Sequence, residues 1–246
     1  YWKIIVVSIS FMMACDMLFF SKVIKNTILI FLIRFTIDIM YNKIRSINSS
    51  GIIYQTVRIF YNLKIKNNVS GLGKVKHDDF AMGVGEMSDE EFRGFLSPAL
   101  SLSADRSDKG SVFFVCMDWR QIHNLQRAAE QSGLHHINTC VWDKGNGGMG
   151  ALYRSRHEFV AVFCTNPVPA INNIQLGKFG RSRTNVWQYP GANSKGSSAN
   201  DALHLHATPK PVELVEDAIL DVTKPKAQVL DPFIGSGTTI LAAERT

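Results

Sequence analysis

The sequence predicts an open α/β domain in which a mostly parallel sheet carries helices on both faces. Short apolar runs at 112–117, 137–142 and 159–163 are separated by helical stretches or short glycine loops, which is the doubly wound pattern. Near the C-terminus a buried strand, a glycine loop and a helix follow one another, and an open α/β sheet forms its ligand site at such strand ends. A chain of 246 residues can bury a sizeable core of this kind.

The helices are bounded by local signals. The first is predicted to begin at Ser88, because Ser88 and Glu91 form a capping box before apolar residues at helical spacing. Pro98 is expected to kink or shorten this helix. A second helix ends at Gly133, and a third ends before Pro225.

The last predicted strand leads into the glycine loop. Asp231 stands at the strand end, and Gly235 and Gly237 allow positive φ or a close approach of backbone to a ligand. Thr238 or Thr239 is expected to cap the helix that follows. A phosphate-binding loop would need a lysine where Thr238 stands, so the loop favours a nucleoside-like ligand without a pyrophosphate. An ordinary βα turn is the alternative.

Residues 1–57 differ in composition from the rest and are expected to be foreign to the domain at 58–246, as an artefact or an extension. The first 60 residues contain no Pro and no Glu, and they carry most of the formal net charge of +6. The mixture is typical of translated AT-rich sequence. A membrane anchor is the alternative, but the apolar runs are shorter than the roughly 20 residues of a membrane helix, and Asp16 would be costly in a span. A membrane partner is therefore not expected.

The cysteines and histidines indicate no metal centre. The four cysteines form no Cys-x-x-Cys pair, and we expect buried, reduced thiols in a cytoplasmic protein. The seven histidines lack metal-ligand spacing. For His157 and Glu158, a salt-bridged start of a strand is favoured over a general acid–base pair.

Two motifs carry a family resemblance. The run 231–239 (Asp-Pro-Phe-Ile-Gly-Ser-Gly-Thr-Thr) resembles the S-adenosylmethionine-binding motif of the DNA amino-methyltransferases, which methylate the exocyclic amino group of adenine or cytosine. The run 206–211 (His-Ala-Thr-Pro-Lys-Pro) resembles the segment before that motif in the permuted subgroup, in which the catalytic motif comes first. The resemblance covers 61–246. It implies a Rossmann-like S-adenosylmethionine-dependent methyltransferase fold, permuted, and truncated before the family's ribose-binding acid.

The resemblance also implies a cofactor pocket and a base pocket. Tyr61 and Asn62 match the end of the family's Asp-Pro-Pro-Tyr-Asn motif, and Tyr61 would stack on the flipped base. Arg58, Ile59 and Phe60 stand where that motif has Asp-Pro-Pro. Because Arg58 replaces the catalytic acid, we expect little or no methyltransferase activity. The expected cofactor contacts are Thr208, Lys210, Asp231, Pro232, Phe233, Gly235, Ser236, Gly237 and Thr238.

The expected substrate is double-stranded DNA, and the resemblance allows a restriction endonuclease as partner. The segment 165–205 interleaves basic and aromatic residues and resembles the target-recognition segment in position, a plain surface loop being the alternative. Adenine is preferred to cytosine as target, and a non-catalytic relic that binds DNA or cofactor is the further alternative. The expected DNA contacts are Lys74, Lys76, Lys178, Arg181 and Arg183.

Overall fold

The structure, a computed structural model, describes residues 53–58 (backbone only), 85–148, 150–178, 180–194, 196–200, 209–233 and 235–246. Its centre is a six-stranded sheet. The strands are β1 (Ile53–Arg58), β2 (Val112–Met117), β3 (His135–Asp143), β4 (His157–Cys164), β5 (Val186–Gln188) and β6 (Gln228–Leu230). They lie in the order β5-β3-β4-β2-β1-β6, so the last of the described strands pairs with the first of them.

One strand of the sheet runs against the others. β1 is parallel to β2 and to β6, and β3 is parallel to β5. β4 is antiparallel to both its neighbours, β2 and β3. Five strands therefore end at one edge of the sheet, which we call the carboxyl edge, and β4 begins there. The opposite edge is called the amino edge.

Helices cover both faces of the sheet. Helices α1 (Asp89–Asp105) and α2 (Ile122–Gln131) lie on one face, and α3 (Val212–Val222) and α4 (Thr238–Arg245) on the other. Alternate side chains of β2 enter the two cores, with Phe113 on the α1 side and Phe114 on the α3 side. Complete burial of such side chains contributes roughly 1.5–3 kcal/mol each. The predicted fold class is confirmed.

The start of α1 follows from its capping box. The backbone N–H of Ser88 donates to Glu91 Oε2 at 2.8 Å, and the N–H of Glu91 donates to Ser88 Oγ at 3.3 Å. Pro98 does not shorten the helix, which continues to Asp105. Residues on both sides of the proline, such as Leu96 and Leu100, are buried against the sheet, and this packing compensates for the lost helix hydrogen bond.

The sequence located β3 and β4 within two residues at each end but not their relative direction. They form an antiparallel pair from His135↔Cys164 to Asp143↔His157. The cysteines within the described residues, Cys116, Cys140 and Cys164, are buried and free, as expected. None of the described helices is long and apolar enough to cross a membrane. The apolar runs before residue 34 lie outside the described part.

Candidate active site

The glycine loop of residues 231–237 leaves the end of β6 at the carboxyl edge. Asp231 is buried and holds both ends of this loop. Its Oδ1 accepts from the backbone N–H of Phe233 at 3.0 Å, and its Oδ2 accepts from Thr239 Oγ1 at 2.6 Å. Hydrogen bonds to a carboxylate are among the stronger ones in proteins. Asp231 therefore fixes the loop against the first turn of α4.

The helix α4 begins differently from the expected threonine cap. Its N-cap residue is Gly237, with φ +79°, and no side chain caps it. Gly235 is also at positive φ, as the glycine pattern predicted. The threonine prediction was wrong because both hydroxyls point to other partners. Thr238 donates to the Lys210 carbonyl at 3.3 Å, and Thr239 donates to Asp231.

The glycine loop lies next to the end of β1. In the parallel pair of β1 and β6, Gln55 is level with Leu230, the last residue of β6. β1 continues for three residues beyond Gln55 and ends at Arg58, at the carboxyl edge. The glycine loop and Arg58, where the resemblance predicts the catalytic acid, thus lie at the ends of adjacent strands. Tyr61, Asn62, Thr208, Lys74 and Lys76 lie outside the described residues, and their roles stay predictions.

Three charged side chains beside the glycine loop form a buried cluster. Glu158, at the start of β4, lies between Lys210 Nζ at 2.5 Å and Lys144 Nζ at 2.8 Å. Glu158 and Lys210 are buried, whereas the Lys144 side chain is 32% exposed. Both ammonium groups also lie over the Trp142 ring, 4.8 and 5.4 Å from its centroid.

This cluster sets the charge state of Glu158. Burial alone would raise the pKa of Glu158, but Lys144 and Lys210 more than offset that and hold the pKa well below its usual range. A carboxylate held in this way is a poor proton acceptor at neutral pH, so the salt-bridged strand start is confirmed over the acid–base pair. The Lys210 side chain is used in this ion pair, and its part in cofactor binding stays a prediction. Trp142 and Lys144 were missed by the sequence analysis.

The predicted DNA-binding arginines form a second ionic cluster, beside β5 and α3. Arg181 Nη2 lies 2.9 Å from Asp221 Oδ1 and 3.0 Å from Asp217 Oδ1. Arg183 Nη1 lies 2.7 Å from Asp217 Oδ2. Tyr189 donates to the same oxygen at 2.5 Å, and burial together with Asp217 raises the pKa of Tyr189 to about 12.

The acidic partners in this second cluster, Asp217 and Asp221, belong to the last turns of α3, and α3 ends at the amino edge. The backbone N–H of Asn173 donates to the Asp221 carbonyl at 2.9 Å, and that of Ala170 donates to the Gly110 carbonyl at 3.0 Å. Residues 165–178 and 180–185, which include Lys178, therefore follow the amino edge. DNA contact by Lys178, Arg181 and Arg183 stays a prediction.

The described second half of the predicted recognition segment, 189–194 and 196–200, lies at the carboxyl edge. After β5, the N–H of Tyr189 donates to the Asp143 carbonyl at 3.2 Å and that of Gly191 donates to the Lys144 carbonyl at 3.0 Å. Asn146 donates to Ser194 Oγ at 3.0 Å. Only this half lies on the same edge as the glycine loop. In the described part of the chain no group of three or more His, Cys, Asp or Glu residues could hold a metal ion.

An acidic strand end followed by a glycine loop, at the carboxyl ends of two adjacent parallel strands, is the place where open α/β sheets bind nucleoside-like ligands. Comparison with known proteins makes this specific. The profile of a family described as DNA methylase, of the N6/N4 type, matches residues 36–246. The chain belongs to this DNA methylase family. The match and β1 both begin upstream of residue 57, and the domain boundary expected there stays a prediction.

Curated relatives agree with the family. The type II methyltransferase M1.MboII of Moraxella bovis is 37% identical over 235 residues, which cover 83% of this chain and 88% of that protein. The type II methyltransferase M.ScaI of Streptomyces caespitosus is 23% identical over 188 residues, which cover 65% of this chain and 62% of that protein. The chain thus spans less than two thirds of the length of several relatives that it matches.

Solved structures show the same fold. The PvuII DNA methyltransferase (cytosine-N4-specific) superposes with a TM-score of 0.59 at 18% identity, over 80% of this chain and 72% of that one. The complex of M1.HpyAVI with SAM superposes with a TM-score of 0.55 at 18% identity, over 85% of this chain and 84% of that one. At this identity the likeness extends to the fold.

Proposed function

We propose that this chain is the S-adenosylmethionine-binding part of an enzyme that methylates an exocyclic amino group in DNA, with adenine as the preferred target. The observation that carries the proposal is the glycine loop 231–237 beside the end of β1. In this arrangement a methyl donor held by the loop lies next to the strand end from which the family's catalytic motif extends. Family membership and the relatives named as type II methyltransferases support it.

The cofactor side of the proposed site is built on the glycine loop. Asp231 and Thr239 keep the glycine loop open beside α4, and the positive φ at Gly235 and Gly237 lets the backbone approach a ligand closely. S-adenosylmethionine supplies an electrophilic methyl group when it is bound. What the protein must add is alignment of that methyl with the amino nitrogen, and such positioning is a large part of catalysis.

The base side of the site is impaired at Arg58. An aromatic amine is a poor nucleophile because its lone pair is delocalised into the ring. A carboxylate that accepts an N–H of the amine would localise that lone pair, but a guanidinium has donors only and accepts no hydrogen bond. We therefore expect the chain to bind S-adenosylmethionine and to transfer methyl groups very slowly. Tyr61 would still stack on a flipped base, an interaction worth ~1–3 kcal/mol.

The test restores the missing motif. Arg58→Asp, Ile59→Pro and Phe60→Pro are introduced together, and methyl transfer from labelled S-adenosylmethionine to unmethylated genomic DNA is measured for this variant and for the native chain. We expect the restored variant to be ~100-fold or more faster, the usual scale for one electrostatic contact to the transition state. Adding Asp231→Ala to the restored variant should abolish transfer.

Digestion of the DNA to nucleosides identifies the product. N6-methyladenine supports the adenine proposal, and N4-methylcytosine supports the cytosine alternative. Equal rates for the native and restored chains would contradict the role given to Arg58. If the restored variant binds S-adenosylmethionine but transfers no methyl group, the protein is the non-catalytic relic. The presence of Arg58 in place of the catalytic acid already favours that alternative.

A further inference from the structure

Two large apolar side chains stand in solvent at the tip of the β3–β4 hairpin. The connection of residues 144–156 joins these strands beyond the carboxyl edge. At its tip Leu152 is 96% exposed and Tyr153 is 80% exposed. Leu152 also has φ +57°, which is uncommon for a residue other than glycine. Exposed apolar residues in a sparsely populated conformation point to a binding role rather than to packing.

The hairpin is braced so that its tip projects. The N–H of Lys144 donates to the Arg156 carbonyl at 2.9 Å, and the N–H of Gly148 donates to the Ser155 carbonyl at 2.7 Å. The guanidinium of Arg154 donates to the carbonyls of Gly147 and Gly148. These bonds link the two arms of the connection, so the tip residues are held away from the sheet.

The charges around the tip favour a polyanion. Residues 144–156 contain three basic residues and no acidic residue. Lys144 and Arg156 are paired with Glu158 and Asp143. The described contacts of Arg154 are with backbone carbonyls, which leave its positive charge uncompensated.

An aromatic–cation pair lies beside the hairpin. Just after β2, Trp119 is 45% exposed, and the Arg120 guanidinium carbon lies 4.9 Å from the centroid of its ring. Met117 is level with Phe159 in the β2–β4 pair, so this turn and the hairpin extend from adjacent strands at the same edge. Apolar or aromatic groups next to arginines suit contact with bases and phosphates.

The distances along the edge fit duplex DNA. The order β4-β2-β1-β6 puts three strand spacings, roughly 14 Å, between the hairpin and the glycine loop. At about 3.4 Å per base pair this is roughly four base pairs of B-DNA. A duplex that lies along the carboxyl edge, with its target base turned toward β1 and β6, therefore reaches the hairpin tip.

We propose that Leu152 and Tyr153 form an apolar wedge that enters duplex DNA within about four base pairs of the target base, while Arg154 contacts a flanking phosphate. The inference rests on the proposed function. Turning a base out of the stack costs a few kcal/mol, and inserted apolar side chains compensate for lost stacking in kinked DNA. The wedge gives the hairpin a role in holding the opened duplex, separate from the transfer of the methyl group.

The test compares the wedge with a matched control. Leu220, on the helix α3 and outside the predicted recognition segment, is an exposed apolar residue with 37% of its surface accessible. Leu152→Ser with Tyr153→Ser, Arg154→Ala, and Leu220→Ser are each titrated against a fluorescein-labelled 24-base-pair duplex of mixed sequence at several salt concentrations. Circular dichroism confirms that the variants are folded, and S-adenosylmethionine binding is measured in parallel by calorimetry.

We expect the double serine variant to bind the duplex about fivefold or more weakly, which corresponds to ~1 kcal/mol of lost stacking, with an unchanged salt slope. Arg154→Ala should lower the salt slope by about one. Leu220→Ser should change neither quantity.

Three results would overturn the inference. In the first, the double serine variant binds the duplex as tightly as the native chain does, and both bind S-adenosylmethionine. This result would leave the proposed function intact. The second is a change of sedimentation coefficient on mutating the tip, which would assign the tip to contact with a second copy. The third is a native chain that binds neither the duplex nor S-adenosylmethionine, in which case the proposed function fails as well.

Discussion

Replacing Glu158 by Gln should be among the most destabilising single changes at the site. Lys210 is almost fully buried and its ammonium group has Glu158 as ion-pair partner at 2.5 Å. Removing one member of a buried pair leaves an uncompensated charge and costs about 3–5 kcal/mol. Lys144 is 32% exposed and can be hydrated after the change, so we assign most of the loss to Lys210. A loss near the lower value, ~3 kcal/mol, is a large part of a typical domain stability.

The assay is urea unfolding followed by tryptophan fluorescence, with Glu158→Gln, Lys210→Met and the double variant. Lys210→Met should cost less than Glu158→Gln, because Glu158 keeps Lys144 at 2.8 Å. The double variant should be more stable than Glu158→Gln alone, since it no longer buries the ammonium group whose carboxylate partner Glu158 has been removed. Lys144→Met is the matched control and should cost under about 1 kcal/mol. The reasoning is refuted if the loss of unfolding free energy in the double variant equals the sum of the losses in the two single variants within about 0.5 kcal/mol.

Four further predictions follow from single contacts. The ion pairs of Glu158 hold its pKa in the folded protein below the usual range. They therefore stabilise the fold fully above the unfolded pKa of about 4.3, and this contribution is lost as the pH falls below that value. Between pH 7 and pH 3, the urea midpoint of the native chain should fall more steeply than that of Glu158→Gln. Asp231→Ala removes the hydrogen bonds that Phe233 N–H and Thr239 Oγ1 make to a buried carboxylate. It should cost about 2–3 kcal/mol and abolish S-adenosylmethionine binding in calorimetry, whereas Thr239→Val should cost ~1 kcal/mol. Gly237→Ala should cost about 1–2 kcal/mol of stability because of the φ of +79° alone, since an added Cβ meets no atom within 4 Å. Gly94→Ala in α1 should instead stabilise the protein by ~0.5–1 kcal/mol. Denaturation midpoints that shift in the same direction for both variants would contradict this. Ser88→Ala should lower the unfolding free energy by ~1 kcal/mol in the same urea assay, and an unchanged midpoint would show that the capping box does not stabilise α1.

Local signals predicted the elements well. The limits of β2 and β6 were read from apolar runs, and the start of α1 from Ser88 and Glu91, because each depends on residues that are near in sequence. The threonine cap failed for a non-local reason. Thr238 and Thr239 bond to Lys210 and Asp231, and the carbonyl of Lys210 is 28 residues away.

Long-range pairings were not predictable in the same way. Lys210 and Glu158 are 52 residues apart, so no spacing indicates their contact. The arginines 181 and 183 were assigned to DNA because they are basic and lie in an irregular segment. Asp217 and Asp221, four residues apart on α3, were the signal for an intramolecular partner, since residues at this spacing share one face of a helix.

The reversed direction of β4 connects the fold with the site. In a fully parallel sheet the second residue of a strand lies at the amino edge, far from every ligand loop. Because β4 is antiparallel to its neighbours, Glu158 lies at the carboxyl edge. There it contacts Lys144, which follows β3, and Lys210, which precedes α3. The carbonyl of Lys210 in turn accepts from Thr238 at the start of α4. The same reversal puts the β3–β4 hairpin at this edge, so one strand direction brings the ion-pair cluster, the glycine loop and the proposed DNA wedge together.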